Sequence, residues 1–103
     1  MAEATENATA PTAVTVGTSL VKLLSGAASY RRSLVIQNLG AGDLYLGFFP
    51  TGTDATGAAA LTTSSGIKLI AGATWTDNAP GTFSGDIWAR ASAAGTDVRL
   101  AAF

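Results

Sequence analysis

Short apolar stretches with a period of two residues follow one another along most of the chain. Gly, Ser, Asn or Asp separates these stretches roughly every eight to twelve positions. In SLVIQN, for example, Leu34 and Ile36 share one face of an extended chain, and Val35 and Gln37 share the other. Alternation of this kind predicts β-strands, and no segment carries an amphipathic helix of useful length. We therefore predict an all-β fold, either a sandwich or a barrel.

The predicted strands are residues 14–16, 19–24, 33–38, 43–48, 66–70, 73–77, 86–92 and 97–101, with a weaker run at 60–63. Two hairpins are also predicted. One joins the third strand to the fourth through residues 39–42, and one joins the last two strands through residues 93–96. In both connections glycines supply the positive φ values that a tight reversal requires, and an aspartate opens the returning strand.

The first twelve residues, MAEATENATAPT, differ in texture from the rest. They are small, polar and mildly acidic, with no large apolar side chain after Met1. Because burial cannot offset their ordering entropy, residues 1–12 form either a floppy tail or an arm that becomes ordered on a partner. The candidate contact residues of such an arm are Glu3, Thr5, Asn7 and Pro11. The remainder, 13–103, is predicted to be a single domain, since 103 residues suffice for one.

The composition argues against several function classes. Six basic and seven acidic residues are balanced without a basic stripe, so we expect no nucleic-acid partner. The chain has no histidine and no cysteine, which removes the commonest general base, the commonest metal ligand and every thiol nucleophile. We expect no enzyme, no catalytic or metal site, no cofactor and no small-molecule substrate. No apolar run approaches the ~20 residues of a membrane-spanning helix, and no basic start precedes an apolar stretch, so we expect neither a membrane partner nor a secretory signal.

The aspartates stand singly at predicted turns and strand starts, at positions 43, 54, 77, 86 and 97. Their spacing does not match an EF-hand-like calcium loop, and we interpret them as turn residues. A calcium site assembled from several loops is the alternative. Residues 50–59 are rich in Gly, Thr and Ala and carry no apolar anchor. We predict an exposed loop there, which either contacts a partner or has no role, and Pro50 and Thr53 are its candidate contact residues.

Aromatic and arginine side chains oppose the aliphatic ones on several predicted strands. The residues placed on these opposite faces are Tyr45, Trp88, Arg90 and Arg99. Such residues are enriched at protein interfaces, so we take them as interface candidates, although Trp88 fits a core position equally well. Trp75 stands between two threonines and its side is ambiguous. Phe103 ends the chain as an apolar residue that a neighbouring subunit could cover. About a fifth of the chain is alanine, which predicts a thin core and favours an oligomer.

Three segments taken together, RRSLVIQNLGAGDLYLG, TSSGIKL and GDIWARASAAGTDVRL, resemble a known family. They are similar to the small capsid decoration (cement) proteins of tailed bacteriophages. The likeness rests on residues 33–47, 66–72 and 85–100, which are scaffold motifs that bear no chemistry. Two segments depart from the family pattern: 50–59 is longer than expected, and 1–12 is weakly determined.

The resemblance implies a compact antiparallel β-sandwich or jelly roll of about eight short strands with an extended N-terminal arm. It implies a virion structural protein on the capsid surface, made in the cytoplasm of a bacterial host. Such a protein forms a homo-oligomer, a trimer, and bridges subunits of the major capsid protein. A head-fibre, neck or tail component is the alternative within the same class. A carbohydrate-binding module that stacks sugars on Trp75, Trp88 and Tyr45 is the alternative outside it.

Overall fold

The computed structural model describes residues 12–26, 33–78, 83 and 85–102. Along the chain its elements are β1 (Thr12–Val16), β2 (Val21–Leu24), β3 (Ser33–Asn38), β4 (Leu44–Phe49), a 3-10 helix (Gly57–Ala60), β5 (Ile67–Leu69), β6 (Thr74–Asn78), β7 (Asp86–Ala91) and β8 (Thr96–Ala102). Each strand lies within two residues of its predicted position. The weak run at 60–63 is not a strand, because Ala60 ends the 3-10 helix and the residues after it form a turn.

The strands of the described residues form two four-stranded sheets. We name them sheet I, with the order β1-β8-β3-β6, and sheet II, with the order β2-β7-β4-β5. Every pairing is antiparallel. The pairs β1·β8, β2·β7, β3·β6 and β4·β5 are nested along the sequence, and β3·β8 and β4·β7 join them into sheets. A chain that doubles back at its middle and then rolls up in this way is a jelly roll. The predicted antiparallel β-sandwich is confirmed.

The main core lies between the inner faces of the two sheets. Its buried members are Val16, Leu23, Leu34, Ile36, Leu44, Leu46, Leu69, Ile87, Ala89, Ala91, Val98, Leu100 and Ala102. The predicted period of two is confirmed, since Leu34 and Ile36 point inward from sheet I and Leu44 and Leu46 from sheet II. Burying each large aliphatic side chain stabilises the fold by about 1.5–3 kcal/mol. The alanines contribute less, so the core is thin where they meet.

The two predicted hairpins are wrong, because each reversal carries the chain from one sheet to the other. β3 lies in sheet I and β4 in sheet II, while β7 lies in sheet II and β8 in sheet I. Turn residues specify that the chain reverses, but long-range pairing decides which strand lies alongside. Of the described glycines in these two connections, only Gly95 has a positive φ, 74°. Gly40 is needed for space instead, because a Cβ there would lie 2.7 Å from Cγ2 of Thr96.

Asn38, the last residue of β3, fastens the end of the sandwich where these reversals lie. It is fully buried. Its side-chain nitrogen donates hydrogen bonds to the carbonyl oxygens of Gly42 and Leu69, both at 2.9 Å, and its side-chain oxygen accepts one from the N–H of Gly40 at 3.0 Å. Its backbone oxygen accepts a further hydrogen bond from Gly72 at 2.8 Å. One buried side chain thus ties sheet I to β5 of sheet II, a role that the sequence did not predict.

Several predictions fall on residues outside the described part. The arm candidates Glu3, Thr5, Asn7 and Pro11 lie there, and so does Phe103. Thr12, which was assigned to the arm, belongs to β1 and pairs with Leu100 of β8.

Candidate interaction surfaces

The outer face of sheet II is covered by its own chain. Tyr45, Ala58, Leu61 and Trp88 form a second buried cluster, which we name the aromatic cluster, and Leu20 and Phe49 pack against it. Ala58 is fully buried and Leu61 is 2 % exposed. Eight of the ten residues 50–59 are exposed, in agreement with the predicted exposed loop, but the prediction that the loop has no anchor is wrong because Ala58 is buried. Ala58 is too small to stand out as an anchor, and Leu61 lies just beyond the predicted segment.

Two glycines make room for Leu61 on this face. Leu46 of β4 pairs with Ile67 of the antiparallel β5. Gly47 follows Leu46 and Gly66 precedes Ile67, so the two glycines face each other next to this pair. A Cβ on Gly47 would lie 3.1 Å from Cδ2 of Leu61, and a Cβ on Gly66 would lie 2.5 Å from its Cδ1. Both distances are shorter than ordinary van der Waals contact, so a side chain at either glycine would displace Leu61. Glycines at facing positions of two strands were the sequence signal for this close approach.

Asp86 opens β7, as predicted, but it is a buried carboxylate that is 1 % exposed. One carboxylate oxygen accepts a hydrogen bond from the N–H of Gly26, and the other accepts one from Gly52 at 2.9 Å and lies 3.3 Å from Nζ of Lys22. The hydrogen bond from Gly26 is the largest cause that lowers the pKa of Asp86, burial opposes it, and Lys22 and Gly52 lower the pKa further. We name residues 50–61, which lie over the outer face of sheet II, the covering segment; through Gly52 and Gly26, Asp86 joins this segment to the end of β2.

Replacing Asp86 with asparagine is expected to lower the midpoint of thermal unfolding at neutral pH by roughly 5–10 °C. Because the folded-state pKa lies below the ordinary value of 3.8, the charged group stabilises the fold above that value, and this stabilisation is lost as the pH falls through the folded pKa. The variant should therefore lose less stability on acidification than the native chain does. Thermal melts followed by circular dichroism from pH 7 to about pH 2 measure both effects.

The control for this prediction is Asp97→Asn. Asp97 is 44 % exposed and pairs with Arg99 on the surface, where an ion pair contributes little. If the Asp86 and Asp97 variants melted alike at every pH, the buried carboxylate would have no special role.

Arg90 borders the aromatic cluster. It stands opposite Tyr45 on the neighbouring strand, two positions along β7 from Trp88. The Nε atom of Arg90 and the indole Nε1 of Trp88 are buried and have no hydrogen-bond partner. Nζ of Lys22 lies 5.4 Å from the centroid of the Trp88 ring. The structure thus places Tyr45, Trp88 and Arg90 together on the predicted face of sheet II. Tyr45 and Trp88 are nevertheless buried within their own chain. Of the two positions considered for Trp88, an interface or a core, the core position is the one observed.

On the outer face of sheet I, Ala13 and Arg99 are exposed, and Val35, Gln37 and Ala101 are half-buried. Ala13 stands opposite Arg99, Arg99 opposite Gln37, and Val35 opposite Ala101, and together they line a shallow groove. We name these five residues the open face. Nη2 of Arg99 forms an ion pair with Asp97 at 3.0 Å, so the arginine lies along the sheet. The remaining side chains are two alanines, a valine and a glutamine, which carry no charge and leave a surface that another protein surface could approach.

The other predicted contact residues are dispersed. Pro50 is exposed, and the half-buried Thr53 donates its hydroxyl to the carbonyl oxygen of Pro50 at 2.7 Å. Trp75 stands opposite Ile36 and packs on the main core, with its ring centroid 5.1 Å from that of Phe48. It therefore lies on the inner side of sheet I, far from the outer face of sheet II. The predicted sugar platform of three aromatic residues is not formed.

Three large apolar side chains that were not predicted as contacts are exposed. Leu39 is 45 % exposed, Ile67 52 % and Ile70 57 %. Ile67 begins the edge strand β5 and Ile70 follows it, while Leu39 follows Asn38, which is bonded to the same strand. A run such as GIKLI predicts a half-buried strand, but it does not reveal that the strand is a short edge whose apolar residues face solvent.

Within residues 12–26, 33–78, 83 and 85–102, no group of three acidic side chains lies close enough together to hold a metal ion. In the same part of the chain, no helix has the length and apolarity needed to cross a membrane. Comparisons with protein families, curated proteins and solved structures found no match to this chain.

Proposed function

We propose that this chain is a virion structural protein, a decoration (cement) protein that binds the capsid surface of a tailed bacteriophage as a homo-oligomer. The observation that carries the proposal is the nested pairing of eight strands into a jelly roll. Viral capsid proteins, lectins and cupins use this architecture. The chain has no histidine, on which metal-dependent catalysis most often depends, and its aromatic residues do not form an open sugar-stacking surface. The capsid role is therefore the one best supported, and the resemblance of residues 33–47, 66–72 and 85–100 agrees with it.

The size of the whole outer face of sheet I favours an assembly with more than one contact per chain. Four strands about 4.8 Å apart, each presenting about five residues of about 3.4 Å, offer roughly 300 Å². A stable interface between two proteins buries about 800 Å² on each partner. A dimer held by this face alone would be too small, so we propose a closed ring, a trimer, in which each chain contacts two neighbours and the capsid.

The proposed mechanism is additive contact. Each surface of the chain binds weakly, but a trimer presents three copies of the capsid-binding surface at once, which raises the effective affinity without any new contact. Bridging adjacent subunits of the major capsid protein then stabilises the shell. The open face and the residues around Arg90 are the surfaces assigned to these contacts, and the host cytoplasm is the place of synthesis.

The test combines sedimentation with capsid binding. At micromolar concentration the native chain is expected to sediment as a trimer and to co-sediment with purified capsids. Ala101→Arg places a long, charged side chain in the open face. It is expected to weaken association of the chains at least tenfold, which corresponds to about 1.4 kcal/mol of binding free energy. Ala59→Arg is the matched control, because Ala59 is exposed on the covering segment. Circular dichroism checks that both variants are folded.

Two results would change the proposal. If the native chain remained monomeric and failed to bind capsids, the proposal of a decoration protein would be withdrawn. If it bound purified tails or fibres and left capsids bare, the fibre, neck or tail alternative would replace it.

A further inference from the structure

Arg90 differs from every other basic residue in the described part of the chain. Lys22 pairs with Asp86, Lys68 with Asp43 and Arg99 with Asp97, each within 3.5 Å. Arg90 forms no ion pair with a described carboxylate, and its Nε is buried with no hydrogen-bond partner among the described residues. An unpaired charge that is partly removed from water is costly, and within the described part of the chain Arg90 is the basic residue without a counter-charge.

The neighbouring Trp88 also has a buried N–H group that lacks a hydrogen-bond acceptor. Its side chain is 7 % exposed, and its indole Nε1 is buried with no acceptor. Trp88 and Arg90 are two positions apart in β7 and therefore point to the same side of sheet II. Buried N–H groups are almost always hydrogen-bonded in native proteins, and two unpaired donors side by side on one face need an explanation.

The carboxylates on this side of the molecule already have partners. Asp86 accepts hydrogen bonds from two backbone N–H groups and pairs with Lys22. Asp43 pairs with Lys68, and Asp54 accepts a hydrogen bond from the N–H of Gly57 at 2.8 Å. Among the residues that the structure describes, none supplies the missing acceptor, so we look for it on another molecule.

We propose that Arg90 receives an aspartate or glutamate side chain from a partner protein, with its carboxylate on the guanidinium and next to the covered indole of Trp88. The proposal rests on the proposed function, because the partner is a subunit of the same virion. Charge complementarity selects the occupant, since the site offers one uncompensated positive charge and two donors but no acceptor. The planar guanidinium binds a carboxylate through two parallel hydrogen bonds. The half-buried Leu20 packs against the aromatic cluster and suits an apolar residue beside the acid.

The first experiment uses the capsid as the probe. Arg90→Gln is expected to weaken binding of the folded chain to purified capsids at least tenfold, the loss that follows when a hydrogen bond to a charged group is removed. Lys68→Gln is the matched control, because it also removes one positive charge but Lys68 is exposed and paired with Asp43 within the chain, and its affinity should remain within about threefold of the native value. Arg90→Lys keeps the positive charge but lacks the planar guanidinium that can form two parallel hydrogen bonds, so it is expected to recover only part of the affinity.

The second experiment needs no capsid and keeps the two proposals separate. The native chain is titrated with the blocked peptide acetyl-Leu-Asp-Leu-amide, and nuclear magnetic resonance follows the indole N–H of Trp88 and the Nε–H of Arg90. A saturable shift of both signals with the Asp peptide, absent with the matched Asn peptide and in Arg90→Gln, supports the carboxylate site even if capsids are not bound.

Two outcomes would overturn the carboxylate site. One is capsid binding that Arg90→Gln leaves unchanged. The other is the absence of capsid binding together with an Asp peptide that shifts neither signal. Failure of capsid binding alone bears only on the proposed function.

Discussion

Replacing Asn38 with alanine is expected to lower the free energy of unfolding by about 3–4 kcal/mol, the largest effect of any single polar substitution in this chain. The change removes three side-chain hydrogen bonds at once and leaves the carbonyl of Leu69 buried without its donor. In a chain of this size the midpoint of thermal unfolding should fall by roughly 15–25 °C. Urea unfolding at one fixed protein concentration measures the free energy, and a thermal melt measures the midpoint.

Gln37→Ala is the matched control for Asn38→Ala. Gln37 is the preceding residue of the same strand, and its side chain makes one exposed hydrogen bond of 3.4 Å to Thr74. We expect its effect to stay within about 0.5 kcal/mol. Asn38→Asp keeps the shape but loses both donors, so it should be about as destabilising as alanine. Equal stability of the Gln37 and Asn38 variants would show that the buried amide does not hold this end of the sandwich.

Replacing Leu61 with alanine is expected to cost about 2–4 kcal/mol and to uncover the aromatic cluster. Leu61 fills the space above Gly47 and Gly66, so its loss leaves a void that the backbone of two strands cannot close. Trp88, now 7 % exposed, should become accessible to a fluorescence quencher such as acrylamide. The measurement uses a Trp75→Phe background, in which Trp88 is the remaining one of the chain's two tryptophans.

Leu39→Ala provides the control for Leu61→Ala, because it makes the same chemical change at a leucine that is 45 % exposed. Its cost should remain under about 0.5 kcal/mol, with no change in quenching. Gly66→Ala adds a second test, since the new methyl group would collide with Leu61 and should also raise quenching. A Leu61 variant that behaves like the Leu39 variant would mean that the covering segment does not protect Trp88.

Residues with two different roles lie close together on sheet II: some stabilise the fold, and one is proposed to bind a partner. Asp86 and Leu61 hold the segment in place, and their predicted effects are on stability. Arg90 lies at the border of the cluster, and its predicted effect is on binding. A variant of Arg90 that left stability unchanged while reducing capsid binding would therefore distinguish contact from folding in the same part of the molecule.

Much of the fold could be predicted from the sequence, and much of the candidate site could not. The alternation in SLVIQN and DIWARA correctly assigned strands and separated Leu34 and Ile36 from Val35, and Ile87 from Trp88. The alternation also placed Trp88 and Arg90 on the correct side of the strand. The sequence did not show that residues 57–61 cover Trp88, because small residues such as Ala58 carry no distinctive pattern.

Local features could be read from the amino-acid sequence: the strand positions, the side of the strand on which each residue lies, and the places where the chain reverses. A side-chain period of two is set by backbone geometry within a few residues, so it can be read without knowing the neighbours. That both reversals cross between sheets, and that Asp86 and Asn38 are buried with partners, became visible only in the folded chain. The amide of Gly26 is 60 positions from Asp86, and the carbonyl of Leu69 is 31 positions from Asn38. Contacts across such separations depend on how the whole chain packs, since many strand pairings satisfy the same local pattern.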